Sequence, residues 1–134
     1  MKLCVLGMSS EATGDSKEAA RLFWEAWEVS TNDFEKFTSA HYVARHQETI
    51  EDKLKWDKTA LHFALKIKDD DTKAHLPSLH LNIGKCHEDL HDFDAAREHY
   101  QLAASYLKFL PGDGYGKMIT SGVQQGLERV SLTK

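Results

Sequence analysis

The sequence predicts an all-α protein built from antiparallel helical hairpins. Apolar residues recur every three or four positions from Ser16 onward, and the period-two alternation of a half-buried β-strand is hard to find. Short polar connections separate the resulting segments, and helices joined by such short connections pack as antiparallel neighbours. A third observation, a motif that recurs in two of the segments, indicates that the hairpins repeat.

The first three predicted helices each follow a polar turn. Asp15 or Ser16 can cap the first helix, which runs to residue 30, because their side-chain oxygens accept hydrogen bonds from free amides at a helix start. The turn 31–33 caps the second helix, which runs to about Ala44. The pattern then resets around residues 48–51, and the third helix carries apolar residues from Leu54 to Ile67.

The last three predicted helices are bounded by strong local signals. The acidic run 69–71 ends the third helix and can cap the fourth, which continues to Leu90. Pro77 falls in or near the first turn of that helix, where a missing N–H is tolerated. The fifth helix spans 93–110, and a Pro-Gly-Asp-Gly breaker separates it from the sixth, 114–131.

Composition excludes several classes of protein. The 134 residues carry a net charge of −4 with scattered lysines and arginines, which does not suit nucleic acid as the main partner. No stretch approaches the roughly 20 apolar residues that cross a bilayer. The two cysteines, Cys4 and Cys86, are isolated, which fits a reducing, cytoplasmic setting and no disulfide framework. We expect no cofactor, a flexible N-terminal tail over 1–15, and a single helical domain over 16–134.

One stretch of the chain resembles a tetratricopeptide repeat (TPR). Residues 18–24 and 94–100 share an acid, two alanines, an arginine and an aromatic ring three residues later. Around the second copy, residues 77–111 follow the TPR pattern of small and aromatic residues. The matching residues are Gly84, Ala96, Tyr100, Ala103 and, a few positions late, Pro111. The departures are His80 in place of the family's Trp and His87 in place of its Tyr.

The resemblance is weaker elsewhere in the chain. Residues 33–67 look like a divergent copy when Ala60 is aligned with Ala103. Residues 16–30 resemble only the second helix of a repeat, and residues 114–131 resemble a closing helix. The resemblance implies a short right-handed solenoid of about six helices, similar to small stand-alone bacterial TPR proteins.

A TPR-type fold implies a protein-binding role rather than catalysis. In the family, the first helix of each pair lines a concave groove that holds a peptide or protein segment. Asn82 occupies the position at which peptide-binding members often carry an Asn that bonds a ligand backbone. Arg45 and Lys85 could meet a carboxylate, and Tyr42 could supply an anchor. The predicted groove residues are Ser39, Tyr42, Arg45, His46, Asn82, Lys85 and Asp89.

Two other interpretations remain open at this stage. His87-Glu88-Asp89-Leu90-His91 matches the H-E-x-x-H motif, in which two histidines on one helix face bind zinc. Against it, the repeat register places His91 at the turn after the helix, and a third ligand at the expected spacing is missing. The other interpretation is a homodimer formed through the N-terminal helix, whose Phe23, Trp24 and Trp27 lack a partner helix in the predicted repeat.

Overall fold

The protein is helical over the residues that the computed structural model describes, 2–132, and no strand occurs among them. Seven helices there have 11 residues or more, one more than predicted. The helices are α1 (Lys2–Ala12), α2 (Ser16–Val29), α3 (Asp33–Ala44), α4 (Ile50–Ala64), α5 (Asp70–Lys73), α6 (Leu76–Asp89), α7 (Phe93–Ser105) and α8 (Gly114–Ser131), with a 3₁₀ turn at Leu107–Phe109. The all-α prediction is confirmed.

The helix starts coincide with the predicted caps. Asp15 accepts a hydrogen bond from the amide of Glu18 at 3.1 Å, and Asn32 caps α3 in the same way. Asp69 caps the short helix α5, and Pro77 lies in the first turn of α6. Two elements differ from the prediction. The predicted fourth helix is divided into α5 and α6, and α6 begins at Leu76 without a side-chain cap. The predicted fifth helix breaks, with α7 ending at residue 105 before the 3₁₀ turn.

Two compact units make up the chain, Met1–Ile67 and Lys68–Lys134, where the sequence predicted one domain over 16–134. In the first unit, α1 packs against α2, α2 against α3, and α3 against α4. In the second unit, α6 packs against α7, and α8 packs on both. Each unit is therefore built from packed helical pairs.

In two of the helical pairs, a glycine of the first helix packs against an aromatic ring of the second helix. A Cβ atom added at Gly7 of α1 would lie 2.5 Å from the ring of Phe23 on α2. A Cβ atom at Gly84 of α6 would lie 2.8 Å from the ring of Tyr100 on α7. Both rings are fully buried. Only a residue without a side chain allows this close approach of ring and backbone.

These two contacts are related by a fixed register. They lie 77 residues apart (84 − 7), and the same offset relates the capping residues Asp15 and Asp92. It also relates the two left-handed residues, Gly14 with φ 83° and His91 with φ 64°. The structure therefore repeats a whole helix–turn–helix unit, including the conformation of its turn.

The structural register differs by one residue from the one read from the sequence. The sequence comparison paired Trp24 with Tyr100, whereas the structure places Phe23 at the position of Tyr100. Trp24 instead lies 46% exposed on α2. The sequence comparison was shifted by one residue because it aligned the acid, alanines and arginine by residue type. Residues aligned in that way are not all buried to the same extent in the structure.

Helix α1 lies where the sequence predicted a flexible tail over 1–15. Its Cys4 and Gly7 are buried against α2, so α1 supplies the first member of the pair that α2 completes. The sequence pattern did not indicate this helix because its apolar residues Val5, Leu6 and Met8 are exposed and do not form one buried stripe.

The α3/α4 pair follows the predicted register but replaces the glycine–ring contact with polar residues. Ala60 and Ala103, aligned from the sequence, are both fully buried. Asp57, at the position of Tyr100, is 1% exposed, and Lys53 donates to its carboxylate at 2.9 Å. A buried carboxylate paired with a partly exposed lysine, in place of an aromatic ring, explains why this copy matched the family pattern weakly.

Replacing Gly84 with alanine is expected to destabilise the protein. The added methyl group meets a buried ring that cannot move aside, and overpacking of this kind costs about 1–3 kcal/mol. Alanine's higher helix propensity returns only about 1 kcal/mol. The free energy of unfolding from urea titration should fall for Gly84→Ala.

The matched control is Gly122→Ala on α8. Its added Cβ atom would meet the end of the flexible Leu81 side chain at 3.0 Å rather than a ring. We expect this variant to equal or exceed the wild type in stability. Equal stability of Gly84→Ala and Gly122→Ala would contradict the role given to the glycine–ring contact.

Candidate functional site

The predicted groove residues lie on or just after one helix in each unit. In the first unit, Ser39 and Tyr42 lie on α3, and Arg45 and His46 lie in the turn that follows it. In the second unit, Asn82, Lys85 and Asp89 lie on α6, at spacings that place their side chains on neighbouring rows of the helix surface. The structure shows which of these side chains are accessible and which are used in packing.

Ser39 is not a groove residue. Its side chain is 1% exposed, and its hydroxyl donates to the carbonyl of Glu35 at 2.7 Å. The hydroxyl of Ser30 on the end of α2 lies 3.2 Å away. The prediction of exposure was wrong because Ser39 lies on the side of α3 that faces α2. It lines a cavity of about 220 Å³ together with Cys4, whose thiol pKa is raised by burial.

Tyr42 and His46 join α3 to the first two helices. The Tyr42 ring stacks on Phe23 with a centroid distance of 4.7 Å. His46 lies 5.5 Å from the same ring and hydrogen-bonds to Glu11 of α1 at 2.8 Å. Both side chains are half-buried. They therefore contribute to the packing of the first unit, and a substitution at either position would disturb that packing.

Arg45 is the most accessible of the four predicted residues of the first unit. Its side chain is 49% exposed, and its guanidinium group lies 5.0 Å from the Tyr42 ring centroid. It also forms an ion pair with Glu11 at 3.5 Å. A cation held over a ring and beside one carboxylate is positioned to meet an acidic group without losing its orientation.

The three predicted residues on α6 form a polar strip. Lys85 and Asp89 form an ion pair one helical turn apart, with side chains 52% and 39% exposed. Asn82 lies one turn before Lys85 and is half-buried. Donors and acceptors alternate along this strip, which suits a partner whose backbone or side chains offer both.

Glu88 lies beside this strip and links three helices. Arg129 of α8 binds its carboxylate in a bidentate fashion, at 2.8 and 3.1 Å. The hydroxyl of Tyr100 on α7 donates to it at 2.7 Å. The hydrogen bonds from Arg129, with a smaller part from Tyr100, hold the pKa of Glu88 below its ordinary value of 4.5. Burial and the Glu88 carboxylate raise the pKa of Tyr100.

Glu11 and Glu88 hold equivalent positions in the two helix–turn–helix units, which the sequence analysis did not reveal. Both lie four residues after the buried glycine of their helix, so the 77-residue register relates them (88 − 11). Glu11 accepts from His46 and pairs with Arg45, whereas Glu88 accepts from Arg129. Glu11 thus ties α1 to the turn at the end of α3, and Glu88 ties α6 to α8. The correct repeat register would have revealed this correspondence.

The H-E-x-x-H sequence does not form one helix face. Helix α6 ends at Asp89, and His91 lies beyond it with a left-handed φ of 64°. Its position at the turn agrees with the repeat register. Glu88 is engaged by Arg129 and Tyr100, and His87 is buried. Over the described range 2–132, no group of three or more His, Cys, Asp or Glu side chains is arranged to hold a metal ion.

Comparisons with protein families, curated proteins and solved structures give no significant match to this chain. The TPR resemblance therefore rests on the residues of the chain alone. Within the part of the chain that the structure describes, no helix has the length and apolar character needed to cross a bilayer.

Replacing Glu88 with glutamine is expected to flatten the dependence of stability on pH in acid. A carboxylate whose pKa is lowered on folding stabilises the native state above its unfolded pKa, and this contribution disappears as the pH falls through the folded pKa. Below about pH 4.5, the wild type should therefore lose more free energy of unfolding than Glu88→Gln.

The control for this experiment is Glu98→Gln, an exposed position on α7. Urea titrations at pH 7, 4.5 and 3 should show parallel profiles for this variant and the wild type. A Glu88→Gln profile that also runs parallel to the wild type would contradict the role of the Arg129–Glu88–Tyr100 contacts.

Proposed function

We propose that the chain is a protein-interaction module of the TPR type that binds a peptide or protein segment in a groove. The observation that carries the proposal is the repeated helix–turn–helix unit, in which a glycine–ring contact, a left-handed turn residue and an aspartate cap recur together. Repeats of this kind are used to present surfaces to other proteins. We place the module in a short right-handed solenoid and in the cytoplasm, as in small bacterial proteins of that type.

We propose a contact surface in each unit, formed by accessible polar residues. In the first unit it includes Arg45, just after α3, and in the second it includes Asn82, Lys85 and Asp89 on α6. Because both signs of charge are present, we propose a partner segment of mixed polarity rather than a purely acidic tail. Tyr42 and His46 support the surface from beneath through their contacts with Phe23 and Glu11.

An interaction role is also favoured over the zinc-hydrolase alternative. The acid of the H-E-x-x-H sequence, Glu88, would have to leave Arg129 and Tyr100 to act on a bound water. The two histidines would have to share one helix, but His91 lies past its end. Each residue of the motif thus has a packing or turn role that accounts for its place in the sequence.

The test uses a charge-neutral double variant, Lys85→Ala with Asp89→Ala. Both side chains are exposed, and surface ion pairs contribute only about 0–1 kcal/mol, so the variant should stay folded. Photo-crosslinking in cells with a photoreactive amino acid at position 82 should capture a partner that the double variant loses.

The matched control removes another exposed ion pair one helical turn apart, Arg21→Ala with Glu25→Ala on α2. It should retain the crosslinked partner. Loss of the partner with both double variants, or with neither, would count against the α6 strip as the contact surface.

Self-association is a second candidate function, favoured by the exposed apolar residues of the N-terminal helices. Phe23 is fully buried and cannot form such a contact, and Trp27 packs edge-on against Trp56. The exposed residues are Val5 (57%), Leu6 (45%) and Met8 (41%) on α1, with Trp24 (46%) on α2. Of the three rings that the sequence suggested, only Trp24 is exposed enough to contribute to a homodimer, and the other three exposed residues of this set lie on α1.

Light scattering after size exclusion distinguishes this candidate. If the chain dimerises through α1, the mass should approach the monomer value of 15.2 kDa for Leu6→Glu and stay dimeric for Val29→Glu, a more exposed apolar site on α2. A wild type that is monomeric across a hundredfold range of concentration would exclude the dimer.

A further inference from the structure

Three histidines form a stacked column between α6 and α7. His80 and His87 lie on α6, and the ring of His99 on α7 lies between them, at centroid distances of 5.3 and 5.5 Å. The ring of Tyr106, just after α7, is parallel to His80 at 5.9 Å. We call His80, His87 and His99 the histidine column. It occupies the interface that holds the second unit's helical pair together.

The column is largely buried and internally hydrogen-bonded. His80 is 4% exposed, His87 is 9% exposed, and His99 is half-buried. The Nδ1 atoms of His80 and His99 lie 3.1 Å apart, so one ring donates and the other accepts. An imidazolium ring has only donors. The bond can therefore form when at most one of the two rings is charged, and protonation of both would place two donors and two positive charges against each other.

Few charges from the neighbouring elements face the column. The carboxylate of Asp92 lies 3.8 Å from Nδ1 of His87, at the opposite end from His80. His75, Glu98 and His91 are exposed around it. Several other charged side chains of the surrounding elements form contacts away from the column. These contacts are Asp70 with Lys73 on α5, Asp94 with Arg97 on α7, Lys85 with Asp89 on α6, Glu88 with Arg129 of α8, and Lys108 against the Phe109 ring.

We propose that the histidine column is an acid-sensitive element that holds α6 on α7 at neutral pH and releases the pair when its rings become protonated. The inference does not depend on which partner the protein binds. It rests on the burial of the rings and on the His80–His99 hydrogen bond, which a doubly protonated pair cannot make.

The expected pH window follows from His80. Burial, with the neighbouring His99, lowers the pKa of His80 from 6.5 to about 4. The unfolded chain therefore takes up a proton near pH 6.5, whereas the folded chain does so only near pH 4. Stability from the neutral ring is complete above pH 6.5 and is lost as the pH falls toward 4. From His80 alone, the unfolding constant should rise roughly 30-fold between pH 7.5 and 5.

The experiment compares the full-length wild type with His80→Phe/His99→Phe, which keeps both flat rings and removes the titrating nitrogens. Amide hydrogen exchange of α6 and α7 is the readout, since the tryptophans, Trp24, Trp27 and Trp56, all lie in the first unit and would report on that unit. Corrected for intrinsic rates, opening of α6 and α7 should increase roughly 30-fold from pH 7.5 to 5 in the wild type and less than threefold in the double variant.

His62→Phe, an exposed site on α4, is the control and should behave like the wild type. If the double variant does not fold, NMR titration of the histidine rings in the wild type tests the proposal instead. His80 should stay neutral in the folded protein well below pH 6. A folded protein in which His80 titrates near 6.5, or a double variant with the wild-type pH response, would overturn the proposal.

Discussion

The close contact between a backbone glycine and an aromatic ring determines how the helical pairs assemble. The Phe23 ring packs against Gly7, and the Tyr100 ring packs against both Gly84 and Gly126 of α8. A Cβ atom added at Gly126 would lie 2.7 Å from the Tyr100 ring. A ring held by glycine on two sides fixes the spacing of three helices at once. Small residues at the neighbouring positions, such as the fully buried Ala96, follow from that spacing.

Polar contacts add specific hydrogen bonds and ion pairs to this apolar packing. Glu11 and Glu88 occupy the same repeat position. Glu11 binds His46, just after α3, and Glu88 binds Arg129 on α8. These contacts have a second consequence, because they engage residues that the sequence offered for other roles. Glu88 belongs to the zinc motif by sequence, but its bonds to Arg129 and Tyr100 give it a structural role.

The same packing divides the predicted groove residues into two groups. Ser39, Tyr42 and His46 contribute to the interface of α3 with the preceding helices, whereas Arg45, Lys85 and Asp89 extend into solvent. In the second unit, His80 and His87 stand where the TPR pattern of the sequence carries Trp and Tyr, and both rings stack on His99. An imidazole ring can stack in this way and can also take up a proton.

The sequence by itself determined the helical class, the caps at Asp15, Asn32 and Asp69, and the closing helix over 114–131, because these depend on local periodicity and on hydrogen bonds within a few residues. It also located His91 at a turn. Only the tertiary structure decided which face of α3 is buried, that α1 forms a helix against Phe23, and that Phe23 rather than Trp24 corresponds to Tyr100. Those outcomes depend on contacts between residues far apart in the chain, which local patterns do not encode.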